Sequence, residues 1–460
     1  MYLPLLSRDM YALIGGILLA LAAAAVTQYW LTHEFKSPRR RWRVKLLAQT
    51  VLGLVLVYMA ITLVGNWWGR REVRQLLVAL RQQGVGCELR QLPSSSTYQE
   101  TENGAYDFLA AYNLLRADPA GKEWQKLLDR PRTGRQIVRW TESDLAVARR
   151  LLASPSLTMA ITIFQRGSGK PYAIYPRDYS GGFDILIPEL AQQRNMFRIL
   201  AAKMITEVAS GKPAAGYGVA VDSLTAAGKL TAGGVFAIDQ LVNVACVRIT
   251  LSYLNRLLAG YGIDPDSARR LLTALNTIDF QQGMATALSG ETSFGCDLFK
   301  AWLQQRPIPL YQQMLGPSRI QMAFFPLVYH HYAVYLEQML RLHADLARPY
   351  WVLARQRSDG GPSQWRMGGG LEVLPRHVAE INSEIVMTRA TLALHLYRHR
   401  HGSYPDTLAA LTPAILPQLP VDPMTGQALQ YARKGADFTL TCTWDKIRRE
   451  RDAAVAVAKE

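Results

Sequence analysis

The chain has 460 residues, a length that suits about three domains and allows a large apolar core. Hydrophobic residues make up 49% and charged residues 19%, with 34 Gly and 23 Pro, which excludes a disordered, collagen-like or long coiled-coil protein. Lys and Arg outnumber Asp and Glu by 52 to 36, a formal charge of +16, and the four cysteines (Cys87, Cys246, Cys296 and Cys442) are too few and too scattered for a disulfide scaffold or a zinc site.

Two apolar blocks open the chain, Tyr11–Leu31 and Leu46–Trp68, and neither contains a charged residue. At 21 and 23 residues each is long enough to cross a hydrocarbon layer of ~30 Å as a helix. Tyr29 and Trp30 close the first block and Trp67 and Trp68 the second, as amphipathic rings do at headgroup level. Between the blocks, Lys36–Lys45 holds six positive charges in ten residues. Short basic loops stay cytoplasmic, so the N-terminus and everything after Trp68 are expected outside the cytoplasm, with Arg70, Arg71 and Arg74 opposing and Glu72 partly offsetting them. A cleaved signal peptide ending near Ala22–Ala25 is a rival, but its n-region would be Arg8 alone beside Asp9. A buried hairpin in a soluble protein is a further rival.

From Gln75 onward the sequence reads as helices. Leu76–Leu80 forms a short amphipathic piece, broken by the turn Pro93–Ser96. Asn103–Arg116 places Tyr106, Leu109, Ala110, Asn113 and Leu114 on one face. Thr141-Glu142-Ser143-Asp144 approaches a capping box, opening a helix through Leu152 that Pro155 ends. Pro171–Pro176 reads as extended, since proline restricts the residue before it. In Phe236–Leu258 the positions Ile238, Leu241, Ala245, Ile249, Tyr253 and Leu257 recur every three or four residues. Asp264 and Pro265 supply an N-cap and a first-turn proline to the next helix. Phe325, Val328, Tyr332, Tyr335, Met339 and Leu342 form another stripe, and no fixed-period repeat supports a solenoid. Ser358–Gly370 reads as a flexible connector.

Pro375–His401 is a strong helix with Val378, Ile381, Ile385, Thr388, Leu392 and Leu396 on one side and Gly402 as its stop. Tyr404-Pro405, Leu408, Leu411, Leu416, Pro420 and Asp422-Pro423-Met424-Thr425-Gly426 follow, then Leu429–Arg433 and Phe438–Cys442 alternate across Lys434-Gly435 as a hairpin. This order over about 55 residues resembles the globular part of type II secretion major pseudopilins. The chain is also similar to a group of large uncharacterised bacterial envelope proteins, to which Glu102–Tyr106 and Ala287–Glu291 add. Pseudopilins begin with a processed N-terminus on one long helix, and their calcium loop is replaced here by Thr443-Trp444-Asp445-Lys446 and a charged helix, Ile447–Glu460. The resemblance therefore implies the shape of the C-terminal subdomain, and neither the calcium nor a filament.

Chemistry is thin. Gly167-Ser168-Gly169-Lys170 lacks the glycine and the hydroxyl of a phosphate loop, with Phe164 and Pro171 at those positions, and reads as a surface turn. His330 and His331 are adjacent and point about 100° apart on a helix. His395 and His399 share a face without a glutamate between them, and with His401, Arg398 and Arg400 they suit the carbonyls of a helix C-terminus. Glu291, Glu380 and Glu384 lack a partner nucleophile or paired carboxylate, so capping or ion pairing explains each more simply. Cys246 and Cys296 read as buried apolar residues, while Cys87 and Cys442 could pair with each other or with either of these in an oxidising compartment. The densest basic run is the membrane loop and the remaining positive charges are spread along helices, so no nucleic-acid partner is expected.

The sequence thus predicts a mainly α protein: a transmembrane helical hairpin over 1–74, a helical extracytoplasmic domain over 75–357, a connector over 358–374 and a helix plus β-hairpin subdomain over 375–460. The expected function is a periplasm-facing structural or interaction protein of the bacterial inner membrane, as an accessory subunit of a larger assembly. Its partners would be the lipid bilayer and other envelope proteins. The alternatives are a secretion or pilus component and an envelope hydrolase using His331 or Glu291. No catalytic residue is assigned, and no metal or cofactor is expected.

Overall fold

The computed structural model describes residues 38–93, 98–128, 140–179, 185, 187–304, 328–357 and 370–442, and within them the protein is mainly helical. The first block, the Phe325 position, residues 358–369 of the connector and the charged C-terminal helix lie outside the described residues. The chain divides into two compact units, one of residues 1–84 with 299–337 and one of residues 85–298 with 338–460.

In the first unit the second apolar block and its neighbours form one helix, α1 (Pro38–Gln82). The basic stretch is therefore a helical extension rather than a loop from Pro38 onward, because proline at the first helical position costs no hydrogen bond. The short piece Leu76–Leu80 is likewise its last turns. From Leu46 to Val64 the helix is apolar on every side, and the Thr50 hydroxyl is satisfied by the Leu46 carbonyl at 2.9 Å. From Asn66 onward a buried stripe appears at Asn66, Gly69, Val73 and Leu80, the spacing of one helix face. At Gly69 a Cβ would lie 2.9 Å from the backbone of Tyr329 and His330, so glycine admits that close approach. Arg70 sits 4.8 Å over the Tyr329 ring, and Phe299 stacks on Tyr332 at 4.7 Å.

The second unit begins with α2 (Gly104–Ala117), α3 (Gly121–Leu128), α4 (Glu142–Leu152) and α5 (Pro155–Gly169). Thr141 and Asp144 close the expected capping box, bonding each other's backbone N–H at 3.0 and 3.2 Å. Pro155 does more than end α4: it is a first-turn residue of α5, whose Ser154 N-cap accepts the Leu157 N–H. The centre of the unit is α6 (Glu189–Ala209), α7 (Pro213–Gly233) and α8 (Ala237–Tyr261), which pack on one another; α9 (Pro265–Asn276) packs on α7. Asp264 caps α9 through the Ser267 N–H at 2.9 Å, as its sequence requires. Both α1 and α8 are long and apolar enough to cross a membrane by length and composition. Half of the apolar stretch of α8 is buried among its neighbours, which marks it as a core helix.

The remaining elements are α10 (Phe280–Leu303), α11 (Val328–Leu346), α12 (Tyr350–Arg357), α13 (Leu374–His401) and a two-stranded antiparallel sheet, β1 (Gln430–Lys434) with β2 (Asp437–Thr441). Gly402 ends α13 at φ 77°, in the left-handed region, and its N–H reaches the Arg398 carbonyl. The hairpin turn falls on Gly435-Ala436, one residue later than the sequence suggested, and pairs Tyr431 with Leu440 and Arg433 with Phe438. The helix side marked by Leu392 and Leu396 in the sequence is not the one that packs on the hairpin. The cap core takes Ala390, Ala393 and Leu394 from α13, together with Tyr404, Leu411 and Met424. Leu392 and Leu396 are buried too, but outside that core, and α13 also packs on α8 and α9. The helix has two apolar faces, and an i, i+4 count follows only one of them.

Phe438 is half-buried and edge-on to Tyr404 at 4.8 Å. Phe438→Ala should therefore cost ~2–3 kcal/mol, less than for a fully enclosed ring. Amide exchange should speed up across Gln430–Thr441 and the Tyr404–Leu416 turns, while α6–α8 stay protected. Unchanged exchange in the hairpin would show that the ring carries no packing.

Candidate functional site

The densest polar centre of the second unit lies between two short extended segments. The first is Tyr172–Arg177, which Asn103 grips like a neighbouring strand: its Nδ2 donates to the Ile174 carbonyl at 2.7 Å and its Oδ1 accepts the Ile174 N–H at 2.9 Å. The same Oδ1 caps α2 through the Ala105 N–H, and the Gly104 N–H reaches the Tyr172 carbonyl at 2.8 Å. Asn103 is fully buried. The second segment, Gly234–Phe236, joins α7 to α8. Asp239 accepts the N–H groups of Val235 and Phe236 at 3.1 and 3.0 Å. Gln240 donates to the carbonyls of Thr231 and Gly234, and the Glu291 carboxylate accepts the Ala237 N–H at 3.0 Å. A Cβ at Gly290 would overlap the Val235 carbonyl, and one at Gly233 the Ala173 carbonyl.

Arg177 ties the segments together. Two of its nitrogens meet the Asp239 carboxylate at 2.7 Å each, and it meets Glu189 at 2.7 Å, with all three side chains 8% exposed or less. Its guanidinium also faces the rings of Tyr175 and Phe236 at 5.3 and 5.4 Å. Burial opposes the Arg177 charge, and the two carboxylates overcome it, holding the pKa above the ordinary arginine value. Burial pushes Glu291 up, as does Asp239, against the Ala237 N–H. Behind Arg177 the Tyr175 hydroxyl donates to Gln193 at 2.9 Å and lies 3.3 Å from the Tyr112 hydroxyl; Gln193 donates to Asn243 at 2.6 Å. Burial raises both tyrosines, so both hydroxyls stay protonated. Most of these bonds end on backbone or on fixed ion pairs. The chemistry of the centre is that of holding two segments in register.

The residues singled out in the sequence fall elsewhere or take structural roles. Glu291 is the helix-capping acid just described. Glu380, 2% exposed, meets Arg376 at 2.8 Å and Arg248 and His377 at 3.4 Å, while Glu384 meets Arg248 at 2.9 Å, joining α8 to α13. Burial alone would raise Glu380, but these cationic partners hold it below the usual carboxylate value. Gly167–Gly169 is the last turn of α5 rather than a loose surface turn, because Gly167 packs on Gly104 at the crossing with α2. Its Lys170 pairs with Asp107 at 2.6 Å, and Lys229 caps the turn through the Ser168 and Lys170 carbonyls.

His330 and His331 lie on α11 with ring centres 5.9 Å apart. His395 and His399 do not converge: His395 faces the Tyr404 hydroxyl at 3.4 Å, and His399 the Ile263 carbonyl at 2.7 Å. His401 stacks on Tyr397 at 4.1 Å. Among the described residues no group of His, Cys, Asp or Glu is placed to hold a metal ion. All four cysteines are buried and none forms a disulfide, so the pairings open in the sequence are not formed. Burial pushes the Cys246 thiol up to about 12. Asp422 turns the Asp-Pro-Met-Thr-Gly motif by accepting from the Ser383 hydroxyl, the Met424 N–H and the Thr425 hydroxyl at 2.9 to 3.1 Å.

His343, on α11, is a group the sequence reading passed over. Burial lowers its pKa to about 4, and its ring lies 3.4 Å from the Thr292 hydroxyl. The unfolded chain holds this proton below pH about 6.5 while the folded chain refuses it down to about 4, so stability falls as pH drops through that window. The urea midpoint in detergent should therefore decline less steeply from pH 7 to pH 4 in His343→Leu than in the parent. Parallel curves would show that the ring is solvated.

Comparison of the chain with protein-family models, with curated proteins and with solved structures finds no match in any of the three.

Proposed function

We propose that this protein is an integral protein of the bacterial inner membrane whose helical unit serves, on the periplasmic side, as a structural or interaction partner of other envelope proteins. The observation that carries the reading is the change along α1. From Leu46 to Val64 large apolar side chains face outward in all directions, Leu47, Leu54, Val57 and Ile61 being 58 to 66% exposed. A soluble surface does not sustain such an area, and a bilayer rewards it. Trp42, at 65% exposed, and Trp67 and Trp68, at 64 and 65%, bracket this stretch. At 1.5 Å per residue they lie ~38 Å apart, close to the spacing between the two headgroup layers. Below them the buried stripe from Asn66 starts the packed protein.

The basic residues Arg39, Arg40, Arg41, Arg43 and Lys45 lie at the opposite end of the apolar stretch. The preference of such clusters for the cytoplasmic face supports a cytoplasmic Pro38 end and a periplasmic Gln82 end. The reading of the helical unit draws on its centre, whose side chains bind its own backbone and one another. A second reading, a secretion or pilus component, draws on the order of α13, the Asp422 turn and the hairpin; filament proteins in a native-membrane pull-down would favour it. A reporter enzyme active only outside the cytoplasm should work when fused after Glu460 and fail when fused at Arg41. The reverse pattern would overturn the orientation.

A further inference from the structure

We propose that His395 is an acid-sensitive clasp: its neutral ring fastens the β-hairpin to α13, and its protonation frees the hairpin and bares the cap core. The clasp depends on the periplasmic reading above only for when the cap meets acid.

The geometry fixes which atom carries which proton. A nitrogen of Arg398 lies 3.4 Å from the Tyr404 hydroxyl, and the same hydroxyl lies 3.4 Å from Nδ1 of His395. A guanidinium can only donate, so the Tyr404 oxygen accepts from it and the phenol proton is left for Nδ1. Nδ1 is therefore bare and the ring proton sits on Nε2. The half-buried ring fills the joint between helix and sheet, edge-on to Tyr404 at 5.9 Å and to Phe438 at 6.2 Å. The hairpin is tied down beside this point. The Tyr431 hydroxyl donates to the Pro405 carbonyl at 2.6 Å, Arg433 pairs with Asp406 at 2.9 Å, and Phe438 stands against the Tyr404 ring at 4.8 Å.

A proton on Nδ1 breaks this order twice over. Two cationic N–H donors would then face one phenol oxygen, and the phenol proton of Tyr404, a residue 3% exposed, would lose its acceptor. The new charge would also enter the joint beside Arg398, whose guanidinium lies over the Tyr404 ring at 5.1 Å. The charged groups around the ring are Arg398 and His399 on its own helix and Asp437 on β2, with the Tyr404 hydroxyl facing it from the turn. Burial first, then Arg398 and His399, push His395 below the ordinary histidine value, while Asp437 pulls it up. The Asp437 carboxylate is itself engaged by the Phe438 N–H at 2.8 Å. The unfolded ring takes its proton near pH 6.5 and the folded ring only at lower pH. The fastening is thus complete above about pH 6.5 and weakens as pH falls below it.

The test is amide exchange of the full chain in detergent between pH 7 and pH 5, each rate corrected for the intrinsic effect of pH on exchange. Exchange across Gln430–Thr441 should rise several-fold more than exchange in α6–α8. His395→Asn keeps an acceptor near the Nδ1 position but cannot titrate, so its hairpin should show no such rise. Arg398→Met removes an exposed cation from beside the ring, and its rise should come at lower pH than in the parent. A hairpin still closed at pH 5, a rise shared equally by α6–α8, or an unchanged rise in His395→Asn would overturn the clasp. Should His395→Asn open the cap at every pH, Arg398→Met decides, and a transition at the parent's pH would overturn it. None of these readouts depends on which side of a membrane the cap faces, so the clasp and the orientation can fail separately.

Discussion

Replacing Arg177 by methionine is expected to be among the most damaging single changes in the chain, costing ~3–5 kcal/mol. The reason is what remains. Asp239 and Glu189 would be left in a site where their side chains are 5 and 8% exposed, with their shared cation gone. An unpaired buried carboxylate must either stay ionised in a poor dielectric or take up a proton, and both cost stability. Arg177→Lys should recover only part of the loss, because an ammonium cannot span both Asp239 oxygens and reach Glu189 in the fixed fork of a guanidinium. Urea unfolding in detergent, followed by amide exchange, checks this. Protection should be lost first around Tyr172–Arg177 and Val235–Asp239. A cost under about 1 kcal/mol would mean that water reaches the cluster and screens it.

Asn103→Ala is the second large effect, expected at ~3 kcal/mol. It strips three hydrogen bonds from a residue with no exposed surface, leaving the Ile174 N–H and carbonyl and the Ala105 N–H without that partner. Each unsatisfied buried group costs on the order of 1 kcal/mol or more, and loss of an N-cap alone costs about 1. Asn103→Asp separates the parts: it keeps the acceptor for Ala105 and Ile174 but offers no donor to the Ile174 carbonyl. It should fall between the parent and the alanine variant in melting temperature. Equal damage from Asp and Ala would mean that a buried carboxylate facing the Ile174 carbonyl costs as much as the retained acceptor bonds return.

Local signals in the sequence carried the boundaries of many elements, and they did so where one residue decides the matter. Thr141 with Asp144, Asp264 with Pro265 and Gly402 each act within a turn of their own position, and the structure places each as its chemistry requires. The proline-flanked stretch at 171–176 was legible for the same reason. What pattern could not give was pairing over distance. Arg177 meets Asp239 across 62 residues and Asn103 meets Ile174 across 71, and nothing in the local text of either residue marks the other. The segments Glu102–Tyr106 and Ala287–Glu291 stood out only by resemblance. Their physical content now has a place: Asn103 and Glu291 hold the two extended segments, and Gly104 and Gly290 let the chain pass closely beside Gly167 and Val235. The two-faced burial of α13 was missed because its small residues Ala390 and Ala393 carry little hydrophobic signal yet line the cap core. For the chemistry candidates, spacing suggested clusters that the side chains do not form, since His395 and His399 share a helix face but reach different partners.

The central claim is that Leu46–Trp68 of α1 lies within a bilayer. Cysteines placed singly from Arg41 to Arg74, in native membranes, can be tested with a small membrane-permeant maleimide, which alkylates a thiol only where water can take its proton. The four native cysteines are buried and serve as the common background. The account expects one unbroken protected window from about Leu46 to Trp68, flanked by labelled positions at Arg41 and Arg74. Labelling that rises and falls every three or four residues through the same stretch would show a helix lying on a surface, and would contradict it.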